Sequence, residues 1–171
     1  MLEIKTAGEL VDPELEARWT ASRPARQTDV FQRILRRFVE AGGPIPIEDL
    51  VSAFPDHFAE AVNDALAALD DDDLIRIRDG RVDIAYPFSA VPTAFVVRLA
   101  EGQERYACCA IDALGIAPML SHRVHIRSRC HHCEIVLDFT AWPHGPGPDA
   151  DGVMVWIGKQ TGGKRRVATS L

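Results

Sequence analysis

No stretch of this 171-residue sequence approaches the roughly 18 consecutive apolar residues that a membrane-spanning helix needs, so a membrane role is not expected. The opening Met1-Leu2-Glu3-Ile4-Lys5 brings charge early and has no apolar signal core, which predicts a cytoplasmic chain with reduced thiols. There is no phosphate-binding glycine loop, no dinucleotide fingerprint and no serine-nucleophile elbow. Internal repeats are also missing, and the only compositional run is Asp70–Asp73, read as a solvated helix end because it lacks the alternating ligands of a calcium loop. Basic residues are scarce at first: residues 1–90 hold 18 acidic and 10 basic side chains, net −8. Residues 91–171 hold 7 and 9, net +2, together with five of the six histidines. Cysteine is absent until Cys108, and all four cysteines fall between there and Cys133. In a reducing compartment four thiols point to metal binding or catalysis more than to a disulfide framework. An apolar share of 47% is ample for a packed core.

The first half reads as helices and then a hairpin. Leu10, Leu15 and Trp19 predict a short helix packed on the body, ended by Ser22-Arg23-Pro24-Ala25. Thr28 to Gly42 predicts a helix, with Thr28 capping it, Gly42-Gly43 stopping it, and Val30, Phe31, Ile34, Leu35, Phe38 and Val39 forming one apolar stripe. A short helix is expected over Ile47–Phe54. A third is expected from Pro55-Asp56 to Leu69, with Phe58, Val62, Ala65, Leu66 and Leu69 inward. Asp79-Gly80 between Leu74–Ile77 and Val82–Ile84 is a strong hairpin signal. Three helices and a hairpin is the order of a winged helix. The third helix, which would read DNA, carries Glu60, Asp64 and Asp70 and no Lys or Arg. DNA affinity depends on cations facing phosphates, so the charge argues against nucleic acid and favours a packing or interaction module.

The second half predicts strands at Thr93–Leu99, Arg123–Ser128, Glu134–Thr140 and Val153–Ile157. It also predicts a helix over Tyr106–Leu114, a loop over Trp142–Gly152 and a basic tail over Lys159–Arg166. Trp142 and Trp156 are expected to pack in the core or under loops, and His144 to be solvated. The expected class is α+β: an N-terminal winged-helix-like helical module, then a small antiparallel sheet with a cysteine-bearing helix. The divisions are an extension over 1–27, the winged-helix-like module over 28–88 and an α/β module over 89–171.

Tyr106-Ala107-Cys108-Cys109-Ala110-Ile111-Asp112 holds the densest chemistry. On a helix Cys109 and Asp112 are three apart and Cys108 and Asp112 four apart, so either thiol can share a face with the carboxylate. A carboxylate alone raises a thiol pKa. The pair makes sense if a soft cation joins it, because the metal drives the thiol proton off and the aspartate can accept and redeliver it. The plainer reading makes Cys108 and Cys109 small buried residues and Asp112 a capping acid. Cys130-His131-His132-Cys133 is a second cluster. It is either one half of a zinc site, completed by Cys108 or Cys109 or by His122, His125, His131 or His132, or a turn with reduced thiols.

The string Tyr-Ala-x-Cys-Ala-x-Asp over 106–112 resembles the alkylmercury lyase family, with its preceding strand Phe95–Leu99 and turn Gly102–Arg105. So do Ala113-Leu114, Ala117-Pro118-Met119-Leu120 and the strand Arg123–Ser128 leading to Cys130. The similarity runs over about residues 28–160 and is most specific over 93–130. It implies protonolysis of carbon–mercury bonds, with Cys109 as the first catalytic cysteine, Asp112 as the proton shuttle and Cys130 as a structural cysteine. The family's second catalytic cysteine lies in a C-terminal segment, and no cysteine follows Cys133 here. Cys108, Cys130 or Cys133 would have to substitute, or a partner chain or second copy would supply the missing part. The implied ligand is a small organometallic or soft-metal species. No cofactor is required, and Cys108, Cys109, Cys130 and Cys133 are the candidate ligands for mercury or zinc. The alternatives are a non-catalytic soft-metal (mercury, zinc or copper) binder or sensor, and a winged-helix interaction module.

Overall fold

The computed structural model describes residues 28–156, and before them only Glu9, Ala17, Thr20 and Ala21. The helix expected around Leu10, Leu15 and Trp19 and the basic tail at 159–166 lie outside the described residues. The class is α+β, as expected. The described elements are α1 (Asp29–Ala41), β1 (Ile45–Pro46), α2 (Ile47–Ser52), α3 (Ala59–Asp71), β2 (Ile75–Arg78), β3 (Arg81–Ala85), β4 (Phe88–Ser89), β5 (Val96–Arg98), β6 (Glu104–Ala107), α4 (Ala110–Leu120), β7 (Val124–Arg129), β8 (Val136–Trp142) and β9 (Gly145–Pro146). No helix among the described residues is long and apolar enough to cross a membrane.

α1 starts where the Thr28 hydroxyl accepts from the Phe31 N–H, and stops at Gly42, whose φ of 71° suits a residue without Cβ. Val30, Phe31, Ile34 and Phe38 are buried on its inner face. α3 buries Val62, Leu66 and Leu69. Phe58, expected inward, is 87% exposed, because it sits at the N-cap in extended backbone, outside the helical periodicity. The β2–β3 hairpin turns through Asp79 and Gly80, both at positive φ, the conformation a two-residue Asp-Gly turn requires.

All nine described strands form one sheet, in the order β1-β3-β4-β6-β5-β7-β8-β9, with β2 also on β3. The core is continuous, running from Phe31 and Phe38 on α1 through Val82, Phe88 and Val97 in the sheet to Ile116 on α4. Phe38 stacks on Phe88, with ring centroids 6.1 Å apart. Arg105 on β6 seals the junction: its guanidinium donates to the carbonyls of Phe38, Val39 and Glu40 at 2.7–3.1 Å. They lie in the last turn of α1, where the Phe38 carbonyl also accepts the Gly42 N–H and a cation is favoured by the helix dipole.

Four expectations change in the second half. Tyr106 and Ala107 belong to strand β6 and the helix begins only at Ala110, because β6 is held between β4 and β5. The loop expected over Trp142–Gly152 is partly ordered: Trp142 ends β8, Gly145–Pro146 pairs back on it, and Pro148–Ala150 makes a 3₁₀ turn. Val153–Trp156 is not a strand, and Ile157 lies outside the described residues. Nor do the two tryptophans fill the core: Trp142 is partly exposed under Arg123 and His144, and Trp156 is 70% exposed.

Candidate active site

The chain leaves β6 at Ala107 and enters α4 within two residues, and those two residues are the cysteines. Thr93 fixes the exit by donating its hydroxyl to the Ala107 carbonyl at 2.6 Å. The Cys108 N–H then bonds the Pro87 carbonyl at 3.0 Å. Cys109 is the N-cap of α4, in extended backbone, and its Sγ accepts the Asp112 N–H at 3.4 Å. The Asp112 carboxyl lies close enough to Cys109 for the Cys109 N–H and thiol to favour its charged form. This is a capping box with sulfur in place of the usual hydroxyl. The Cys–Asp spacing of three is therefore a helix start, not two positions on a mid-helix face.

The electrostatics follow from that arrangement. Burial, then the hydrogen bond to Asp112, push the Cys109 thiol up to about 11, while the N–H groups of Asp112 and Ile111 pull the other way. Burial raises the Asp112 carboxyl, and the hydrogen bonds from Cys109 oppose that rise. Asp112 is thus a carboxyl whose affinity for a proton burial has increased, next to a thiol that holds one. Two helix N-terminal amides wait for the negative charge that forms if the thiol proton leaves.

Cys108 faces elsewhere. It is 3% exposed, donates to the Phe88 carbonyl at 3.3 Å, and packs on Ile84 and Tyr86. Burial, reinforced by the charges of Asp112 and Cys109, drives its thiol well above the ordinary range. Beside it, Arg76 grips the buried Asp83 through two 2.8 Å contacts, a bidentate pair across β2 and β3.

Tyr86, in the β3–β4 turn, is a site residue that the sequence reading overlooked. Its hydroxyl is buried and has no hydrogen-bond partner among the described residues. Burial, then the negative charges of Asp73, Cys108, Asp112 and Cys109, push the phenol far up, so it stays a neutral donor. No local motif marks it. Only the pairing of β3, β4 and β6 brings it to the cysteines.

Cys130 and Cys133 lie apart from this group, in the turn between β7 and β8. Cys130 is half-buried, and Cys133, His131 and His132 are exposed. Hydrogen bonds from the backbone N–H groups of Cys133 and His132, and from the Cys133 side chain, lower the Cys130 thiol pKa. Among the described residues no three His, Cys, Asp or Glu side chains converge as a metal would need, so the four-ligand zinc site considered for Cys130 and Cys133 is not formed. His125 is instead engaged with Asp138 at 2.9 Å, and His122 with the Leu120 carbonyl at 2.8 Å.

Comparison with known proteins finds similar chains. The mercury-bound form of MerB2, a solved crystal structure, superposes with a TM-score of 0.61 at 22% identity, covering 80% of this chain and 66% of that one, which establishes a shared fold. An alkylmercury lyase of Staphylococcus epidermidis is 33% identical over 102 residues, 60% of this chain and 44% of the relative. The match thus spans less than half of that curated protein. A model of the alkylmercury lyase family matches residues 88–171, the segment holding both cysteine pairs and Asp112. Over this segment the chain is similar to the alkylmercury lyase family.

Proposed function

We propose that the chain cleaves carbon–mercury bonds by protonolysis at Cys109 and Asp112. The observation that carries this reading is the sulfur capping box: a protonated thiol, a carboxyl raised by burial and two helix amides meet at one point. An organomercurial carried by a small thiol arrives as R–Hg–SR′. The Cys109 proton passes to Asp112 as Sγ bonds mercury, and the helix N-terminus supports the sulfur during the exchange. Asp112 then gives that proton to the carbon, the Hg–C bond breaks, and R–H leaves. Mercury stays divalent, bonded to Cys109 and to the thiolate it came with, so the balance closes without oxidant or cofactor. The accompanying thiolate takes the role of a second cysteine, which suits a sequence with no cysteine after Cys133.

Tyr86 supports the same reading as a neutral hydrogen-bond donor beside the reacting groups. The module over 28–88 then acts as the packing body that carries Tyr86 and Arg76, and the module over 89–171 carries the chemistry. The reducing cytoplasm suits both.

The test is hydrocarbon release from an organomercurial in excess small thiol. The native chain is expected to release it, and Cys109→Ser and Asp112→Ala to do so about 10²–10⁴-fold more slowly, the usual worth of positioned proton transfer. Mercury retained one-to-one with no hydrocarbon released would overturn the lyase reading and leave a thiol-based soft-metal binder.

A further inference from the structure

β6 and β7 run parallel to each other on either side of β5. Val96 pairs with both Tyr106 and Arg127, Val97 with both Arg105 and Ile126, and Arg98 with both Glu104 and His125. The offset is constant over the paired residues, so β6 and β7 end at the same end of the sheet with only β5 between them, two strand spacings or about 10 Å apart. One cysteine pair follows each of these two strand ends.

The turn after β7 is built to present its thiols side by side. The Cys130 N–H bonds the Ile135 carbonyl and the Glu134 N–H bonds the Cys130 carbonyl, both at 2.9 Å. Residues 130–134 thus close one helical-type turn, which Glu134 leaves at a φ of 59°, and Arg129 clamps the Glu134 carbonyl at 3.2 Å. Positions three apart on such a turn share a face. The N–H groups of His132 and Cys133 and the Cys133 side chain lie on the side of the Cys130 sulfur and favour its thiolate. Cys133 is exposed, and no third ligand joins the pair among the described residues.

We propose that Cys130 and Cys133 form a second soft-cation site, a two-thiolate clamp for Hg(II) placed to receive the metal leaving Cys109. The inference that the metal comes from Cys109 rests on the lyase reading; the clamp itself does not. A pair of thiolates lacking a third ligand suits a soft cation that is content with two sulfurs, whereas structural zinc takes four ligands. Transfer is ligand exchange without redox change. Each incoming thiol forms a bond to mercury and gives up its proton, and each outgoing thiolate breaks its bond and takes a proton.

The experiment uses the full chain with Cys109→Ser throughout, so no result depends on lyase turnover. Mercuric chloride is titrated against a competing small monothiol, and binding is read from the sulfur-to-mercury charge-transfer absorbance and the intact mass. One mercury per chain is expected, held against the monothiol. Adding Cys133→Ser, an exposed position with no role in packing, should weaken retention about 100-fold, the scale of losing one arm of a chelate. Adding Cys130→Ser as well should abolish it, with circular dichroism confirming the fold. Retention by the variant lacking Cys109, Cys130 and Cys133, or failure of Cys109→Ser alone to bind, would overturn the clamp. If the clamp holds while the native chain releases no hydrocarbon, the lyase reading fails and the clamp stands.

Discussion

The two cysteine pairs sit at one end of one sheet yet live in opposite environments. At Cys108 and Cys109 the chain passes from strand to helix beneath Tyr86, and burial together with Asp112 keeps both thiols protonated. At Cys130 and Cys133 the chain turns in solvent, and backbone N–H groups draw the Cys130 thiol down. Sequence distance from a carboxylate does not set thiol character here. What sets it is whether amides or a carboxylate meet the sulfur, and how much water remains.

Alkylation at neutral pH should expose that contrast most sharply. Cys130 is expected to react at least 1,000-fold faster than Cys108, whose modification waits on opening of the fold; peptide mass spectrometry over time reads both. Comparable rates would break the comparison. Arg76→Ala attacks the wall behind the inner pair. It strands the buried Asp83 and should destabilise the chain by roughly 3 kcal/mol, measured by denaturant unfolding. A loss below about 1 kcal/mol would show that Arg78, 3.8 Å from the same carboxylate, takes over.

Tyr86→Phe separates packing from chemistry. It removes a buried hydroxyl with no partner, so thermal unfolding should show a gain of about 1 kcal/mol, while hydrocarbon release falls about tenfold if the hydroxyl serves the reaction. Asp112→Asn sharpens the electrostatic argument at Cys109. The native thiol titrates near 11, so its alkylation rate should climb about tenfold per pH unit from 7 to 10. Without the carboxylate that profile should move to lower pH by about one unit. An unmoved profile would leave desolvation as the whole cause.

Much of this was legible in the sequence where the pattern is local. Thr28, the α1 stripe and Asp79-Gly80 act within a few residues, and α1 and the hairpin formed as their spacing implied. The Cys109–Asp112 pair was visible too, and capping was one reading of Asp112, but Cys109 as the N-cap was not, because capping boxes are recognised by serine or threonine. Reading Cys-Ala-Ile-Asp as such a box would have ended β6 before Cys109. Tyr86 and the common end of β6 and β7 depend on strand register, set by long-range pairing that no short window contains. Phe58 misled because the helix was expected from Pro55-Asp56, whereas it begins at Ala59 with Phe58 as its N-cap.

That cap has a cost for the molecule. Sulfur is a poor acceptor next to a hydroxyl, so the first turn of α4 is held less firmly than Ser would hold it. Cys109→Ser should therefore raise the melting temperature slightly, by an amount matching a few tenths of a kcal/mol, while removing the proposed nucleophile. Under the proposed reaction, mercury on the sulfur would take part of the Asp112 amide's partner and let the helix end fray. Amide exchange at Ile111 and Asp112 would then act as a built-in occupancy gauge, speeding when the metal is bound and slowing when it departs.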